Sequence, residues 1–158
     1  MKIRTGIGFD VHRLAEGLEL WIGGIRIEHE KGSVAHSDGD VLIHAICDAL
    51  LGAAALRDIG YHFPDTSGEY RGIDSKILLR KTADLLQAEG YTLGNVDSVV
   101  CMQRPKLKEY IPAMQQCLSE ILGLAPGDVS VKATTTETLG FEGREEGVSA
   151  YATALIYR

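Results

Sequence analysis

Asp10 and His12 stand two residues apart in the segment Gly6-Ile7-Gly8-Phe9-Asp10-Val11-His12, and in a strand such a pair projects to one face. Further along, Asp40, His44 and Asp48 are the only strongly polar side chains between Asp40 and Leu56. Their spacing of four stacks them along one helix face. A helix apolar on every other side is expected to be buried, and ionisable groups inside it need partners or a task. Two imidazoles and a carboxylate, from His12, His44 and Asp10, make a divalent-cation site with one position left open, the arrangement of catalytic zinc. Asp48, one turn beyond His44, is read as an acceptor that holds the imidazole tautomer; the alternative is a bond to a nearby backbone N–H.

Other polar groups suit an anionic substrate. His36 and Ser37 precede the buried helix, which Ser37 or Asp38 is expected to cap, and N–H groups at a helix start attract anions. Thr134-Thr135-Thr136-Glu137 ends a strand with three hydroxyls, which suit phosphate oxygens, and a carboxylate able to hold a hard cation such as Mg²⁺. Lys106, after Arg104-Pro105, could pair with a phosphate. Arg144, in the turn Gly140-Phe141-Glu142-Gly143-Arg144, could clamp a phosphate or carboxylate. Gly6-Ile7-Gly8 is neither completed to a dinucleotide fingerprint nor followed by a helix. These residues reach a metal-dependent enzyme acting on a phosphorylated small molecule, and stop short of a substrate.

The elements that must position these groups are legible in outline. Ile3, Thr5, Ile7, Phe9 and Val11 alternate as a first strand. Residues 18–21 and 25–28 flank Gly23-Gly24 as a hairpin, and the buried helix spans roughly 39–56. Residues 60–72 form a long, breaker-rich loop of the kind that is usually functional or mobile. Asp74 is an N-cap for a helix running to Glu89 and closed by Gly90. A strand over 95–103 ends at Arg104-Pro105. A helix with Pro112 in its first turn follows and stops at Gly123. Strands near 129–133 and 147–157 complete the chain. This is an α/β fold of α+β type: a single domain over residues 1–158, with a mixed or antiparallel four-stranded sheet, helices packed on one face and a small hairpin.

Composition sets the limits. The 158 residues suffice for one full core. A net charge of −6 argues against general nucleic-acid or anionic-membrane binding. Cys47, Cys101 and Cys117 lie in apolar stretches without CxxC spacing, which fits reduced core thiols in a cytoplasmic protein. No apolar run reaches a membrane span, and no signal or transit segment is expected.

Taken in order, Gly8-Phe9-Asp10-Val11-His12, Ala35-His36-Ser37-Asp38-Gly39-Asp40, His44-Ala45, Asp48-Ala49-Leu50-Leu51-Gly52, Asp58-Ile59-Gly60, Phe63-Pro64-Asp65, Gly94-Asn95-Val96-Asp97, Pro105-Lys106, Val131-Lys132-Ala133-Thr134-Thr135-Thr136-Glu137 and Leu139-Gly140-Phe141 resemble the 2-C-methyl-D-erythritol 2,4-cyclodiphosphate synthase family of the non-mevalonate isoprenoid pathway. The resemblance implies a homotrimer with active sites between subunits and zinc on Asp10, His12 and His44. It implies Mg²⁺ or Mn²⁺ on Glu137, with His36 and Thr135 contacting the reacting phosphates. Val11, Ser37, Asp58, Ile59, Gly60, Phe63, Pro64, Asp65, Thr66 and Ser67 would join the ligands on the methylerythritol side. Met102, Gln103, Arg104, Pro105, Lys106, Leu107 and Lys108, with Thr134, Thr135 and Thr136, would line a cytidine-diphosphate pocket from the neighbouring subunit. Phe141 and Arg144 would lie near the trimer axis. The implied reaction closes a cyclic diphosphate and expels CMP. Two departures stand out: Ser67-Gly68 where many relatives have Asp-Pro, and Glu142 and Glu145 flanking Arg144, which argue against isoprenoid diphosphate binding at the axis. A phosphohydrolase using the same zinc, and a trimeric nucleotide-binding module, are the rival readings.

Overall fold

A computed structural model describes residues 1–158. The elements in chain order are β1 (Ile3–Glu16), β2 (Leu20–Ile22), β3 (Ile25–Ile27), β4 (Lys31–Val34), α1 (Val41–Ala53), α2 (Ile59–His62), α3 (Ser75–Ala88), β5 (Thr92–Cys101), α4 (Ile111–Leu122), β6 (Val129–Thr134), α5 (Gly140–Gly143) and β7 (Gly147–Tyr157). Five strands form one sheet in the order β4-β1-β7-β5-β6, and β2 and β3 form a separate hairpin. Every pairing in the large sheet is antiparallel except β5 with β6. The sheet thus has a fifth strand, β4, beyond the four expected. Lys31-Gly32-Ser33-Val34 is too short and too polar to show a period-2 pattern, and only its pairing with the far end of β1 defines it.

One face of the sheet takes a helix at close range because its central side chains are small. Even-numbered residues of β1 point inward and odd-numbered ones outward. The inward positions include Gly6 and Gly8, and β7 contributes buried Ala150, Ala152 and Ala154 beside them. That nearly flat surface lets α1 lie directly on the sheet. A Cβ added at Gly8 would fall 1.9 Å from the Ala45 carbonyl oxygen, and one at Gly6 2.0 Å from that of Ala49. Leu42, Ile43, Ile46, Leu50 and Leu51 of α1 are fully buried, each contributing about 1.5–3 kcal/mol by removal from water. α3 packs on α1, and α4 on β6 and α3.

Asp40, rather than Ser37 or Asp38, caps α1: its carboxylate accepts from Ile43 N at 3.0 Å. The same carboxylate accepts from Gly23 N at 2.9 Å and Gly24 N at 2.7 Å, which ties the β2–β3 hairpin over the helix start. Burial pushes the Asp40 carboxyl up, while these three N–H groups pull it back toward ionisation. The start of α1 is therefore closed and offers no anion site. Asp74 caps α3 as expected, accepting from Lys76 N, and Gly123 ends α4 in the left-handed region at φ 68°.

Gly8→Ala is expected to force α1 off β1 and to destabilise the protein by about 3 kcal/mol. Urea unfolding checks this, and an unchanged midpoint would contradict the packing.

Candidate active site

The inward register of β1 that contains Gly6 and Gly8 continues through Asp10 and His12. His44 precedes Ala45, the residue whose carbonyl rests on Gly8. The close approach of helix and strand therefore delivers the three side chains to one point. Asp10 Oδ2 lies 2.9 Å from His12 Nε2 and 3.0 Å from His44 Nδ1, and the two ring nitrogens are 3.1 Å apart. These three atoms form a nearly equilateral triangle. Metal–ligand bonds of about 2.0–2.1 Å at tetrahedral angles place ligand atoms about 3.3 Å apart, so the triangle is close to one face of a tetrahedral site. One carboxylate and two imidazoles are also a donor set that suits a first-row divalent cation. The residues fit a metal.

Electrostatics point the same way. Burial opposes a charge on Asp10, but hydrogen bonds from His12 and His44 outweigh it and hold the carboxyl well below its usual range. Burial likewise works against a charged His44, yet the hydrogen bond and charge of Asp10 raise its pKa. The Asp10 carboxyl is therefore held ionised, the form in which it can serve as a cation ligand. Cys47, on the same helix, takes no part: burial pushes its thiol up to about 12.

The triangle opens on a cavity of about 410 Å³. Asp10, His12 and His44 line it together with His36, Ser37, Ile59, Gly60, Phe63 and Asp65 of the residues singled out from sequence, and with Ala35, Tyr70, Ile73 and Leu78, which were not. The lining is thus part ionic and part apolar. His36 Nε2 donates to Ser67 O at 3.2 Å, joining the two loops at the cavity mouth. Asp58 caps α2, accepting from Tyr61 N at 2.9 Å, which sets Ile59 and Gly60 at the rim.

Asp48 does not hold His44. Its Oδ1 accepts from Ile59 N at 2.8 Å, so one turn beyond the imidazole the helix face meets α2 instead. The group at His44 Nε2 is Ser75 Oγ, 2.9 Å away, which in turn donates to Asp38 Oδ1. Neither residue was singled out as a partner of His44, because Ser75 lies far along the chain on another helix.

A second group sits apart from this cavity, where β5 and β6 end side by side with Cys101 opposite Thr134. None of residues 102–108 or Thr134–Glu137 lines the 410 Å³ cavity. Thr135 Oγ1 donates to Glu137 Oε1 at 3.4 Å, and Glu137 and the following Thr138 both adopt left-handed backbone, at φ 54° and 66°. Gln103 accepts from Thr138 N at 3.1 Å and steadies that turn. Lys106 is exposed. Arg104 is engaged elsewhere, pairing with Glu145 at 2.7 Å and Glu30 at 3.1 Å. Arg144 pairs with Glu146 at 3.2 Å, and Phe141 packs on Gly147. Glu142 accepts from Ser149 Oγ at 2.8 Å.

Fold and site define an α/β protein built around a two-histidine, one-carboxylate cation centre facing a substrate-sized cavity. The comparisons narrow that class. The YgbB family model matches residues 3–157. The chain is 67% identical over 158 residues to 2-C-methyl-D-erythritol 2,4-cyclodiphosphate synthase of Bacteroides fragilis strain YCH46, covering 100% of this chain and 99% of the relative. The bifunctional IspDF from Campylobacter jejuni superposes with a TM-score of 0.94 at 44% identity, over 98% of this chain and 42% of that one. A 2C-methyl-D-erythritol-2,4-cyclodiphosphate synthase in a CDP-bound form superposes at 0.90 with 38% identity, over 98% of this chain and 100% of that one. The chain belongs to the YgbB family.

His44→Ala is expected to leave a folded protein without a stoichiometric divalent cation after dialysis against zinc; elemental analysis finding normal content would contradict the site. In the metal-free protein the depressed Asp10 carboxyl stabilises the fold above its ordinary value of 3.8, and that contribution is lost as pH falls below it. Asp10→Asn should accordingly flatten the acid limb of the stability profile, measured by urea unfolding between pH 2 and 6.

Proposed function

We propose that this protein is a metal-dependent cyclodiphosphate synthase, a phosphorus–oxygen lyase. It converts 4-diphosphocytidyl-2-C-methyl-D-erythritol 2-phosphate to 2-C-methyl-D-erythritol 2,4-cyclodiphosphate and CMP, in isoprenoid precursor biosynthesis. The observation that carries this reading is the Asp10–His12–His44 triangle, open to a cavity in a chain two-thirds identical to proteins of that name. An oxygen of the 2-phosphate attacks the β-phosphorus of the diphosphate, and the bond to the CMP oxygen breaks. No water or redox partner enters.

The residues divide by task. Asp10, His12 and His44 would hold zinc, which would supply Lewis-acid polarisation of a phosphate oxygen. Glu137 would hold Mg²⁺ or Mn²⁺ at the diphosphate. His36 and Thr135 would donate hydrogen bonds to the reacting phosphates, where negative charge rearranges. The ionic lining residues would take the phosphates, and the apolar Ile59, Phe63, Ile73 and Leu78 would take the carbon skeleton. Asp58 and Asp65, with Pro64, Thr66 and Ser67 beside them, would meet its hydroxyls. Positioning and charge neutralisation do most of the work.

The assembly is a homotrimer in this reading. The outward face of β1 exposes Ile3, Ile7, Phe9 and Val11, and Tyr151 lies beside Phe9 with ring centroids 4.9 Å apart. A run of apolar side chains facing outward along one strand favours burial against other copies. Such packing would bring residues 102–108 and Thr134–Glu137 of one subunit to the cavity of the next, joining two groups that are separate within one chain. The protein would act in the cytoplasm; no helix is long and apolar enough to cross a membrane.

Phosphorus NMR of the purified protein with the cytidine-diphosphate substrate, Zn²⁺ and Mg²⁺ should show CMP and a cyclic diphosphate, absent after metal removal. CMP with an open-chain product would favour a hydrolase, and no turnover by the zinc-loaded trimer would favour a binding module. Ile7→Asp, at a position 71% exposed in the single chain, should yield folded monomers with no measurable turnover. A fully active trimer of that variant, seen by light scattering, would remove this face from the interface.

A further inference from the structure

We infer that Ser75, backed by Asp38, is the positioning residue that fixes which nitrogen of His44 faces the metal and how the ring is held. This rests on the metal-site reading above and concerns residues that do not themselves touch the cation.

The argument is a count of protons. Asp38 Oδ2 accepts from Ser75 N at 2.9 Å, and Asp38 Oδ1 accepts from Asp40 N at 3.1 Å. Both oxygens are therefore acceptors. Ser75 Oγ lies 2.5 Å from Asp38 Oδ1, so its single proton is donated there. What Ser75 then presents to His44, 2.9 Å away, is a lone pair. Nε2 must carry a proton to meet it. An imidazole that coordinates a metal keeps a single N–H, so with that proton on Nε2 the lone pair offered to the metal is on Nδ1, the atom in the triangle with Asp10 and His12. The opposite tautomer would set two lone pairs against each other at a site where Ser75 is fully buried and His44 is 6% exposed, a costly mismatch.

A simple capping role does not account for Ser75. The start of α3 is capped by Asp74, which accepts from Lys76 N. Ser37 Oγ stands 3.3 Å from His44 Nε2, but it also accepts from Gly39 N and is the longer contact. The chain Asp38–Ser75–His44 thus has the logic of a carboxylate–histidine–metal relay with a hydroxyl inserted. It grips the ring at Nε2 and couples the docking of α3 to the geometry of the metal centre.

The test compares wild type, Ser75→Ala and Ser75→Thr by chelator competition for Zn²⁺ and by the visible absorption of the Co²⁺-loaded proteins. Ser75→Ala is expected to bind one zinc about 10–100-fold more weakly and to shift the Co²⁺ bands, with Ser75→Thr, which keeps the hydroxyl, closer to wild type. Wild-type affinity and an unshifted spectrum in Ser75→Ala would overturn the inference. Long-range ¹H–¹⁵N NMR of zinc-loaded wild type needs no variant: a proton on His44 Nε2 with metal on Nδ1 supports the relay, and metal on Nε2 refutes it. Should wild type bind no zinc at the triangle, the metal reading itself fails and the relay with it. A normal relay in a protein that makes no cyclic product would leave the relay standing and refute only the proposed reaction.

Discussion

The contact between α1 and β1 at Gly6 and Gly8 governs the rest of the molecule. Without side chains at these positions, helix backbone lies on strand backbone, and carbonyl oxygens of Ala45 and Ala49 occupy the space where Cβ atoms would stand. Helices packed through side chains keep their axes 8–10 Å apart, and a comparable standoff here would leave His44 out of reach of Asp10 and His12. Because the inward residues of β1 run Gly6, Gly8, Asp10, His12, the strand first admits the helix and then supplies two ligands to it. One register thus carries both the packing and the chemistry.

That geometry concentrates charge at the edge of an apolar core, and the surrounding groups stabilise it. Asp40 satisfies the helix start and the hairpin turn with a single carboxylate. Asp38 accepts from the neighbouring loop and from α3. Asp48 anchors α2 at the cavity rim. The acidic residues of the Asp38–Asp48 segment are therefore engaged by backbone N–H groups and, for Asp38, by the Ser75 hydroxyl, and Asp10 is the carboxylate in direct contact with the two histidines. Such division leaves a single carboxylate among the three candidate ligands, so a bound divalent cation would keep residual positive charge for an anionic substrate.

Much of this was legible in the residues. The alternation of β1, the Asp74 cap, the Gly123 stop and the triad of Asp10, His12 and His44 all follow from spacing and type, because each depends on neighbours along the chain or on a strong periodicity. The partner of His44 did not. Asp48 is one turn away in sequence, whereas Ser75 arrives on α3 from 31 residues beyond His44, and tertiary packing alone decides between them. The same holds for β4, which is defined by pairing with β1, and for Arg104, whose two carboxylate partners lie on distant turns. The left-handed Glu137 and Thr138 carry no glycine to announce them; a side-chain bond from another loop holds that turn.

The central claim is that the triangle of Asp10 Oδ2, His12 Nε2 and His44 Nδ1 is one face of a tetrahedral zinc site. Anomalous diffraction at the zinc edge, from crystals of protein purified without added chelator, tests it most directly. The account predicts a single strong peak per chain about 2.0–2.1 Å from all three atoms, with its fourth side toward the cavity. A peak elsewhere, or none at this triangle in crystals of protein that turns over substrate, would contradict it.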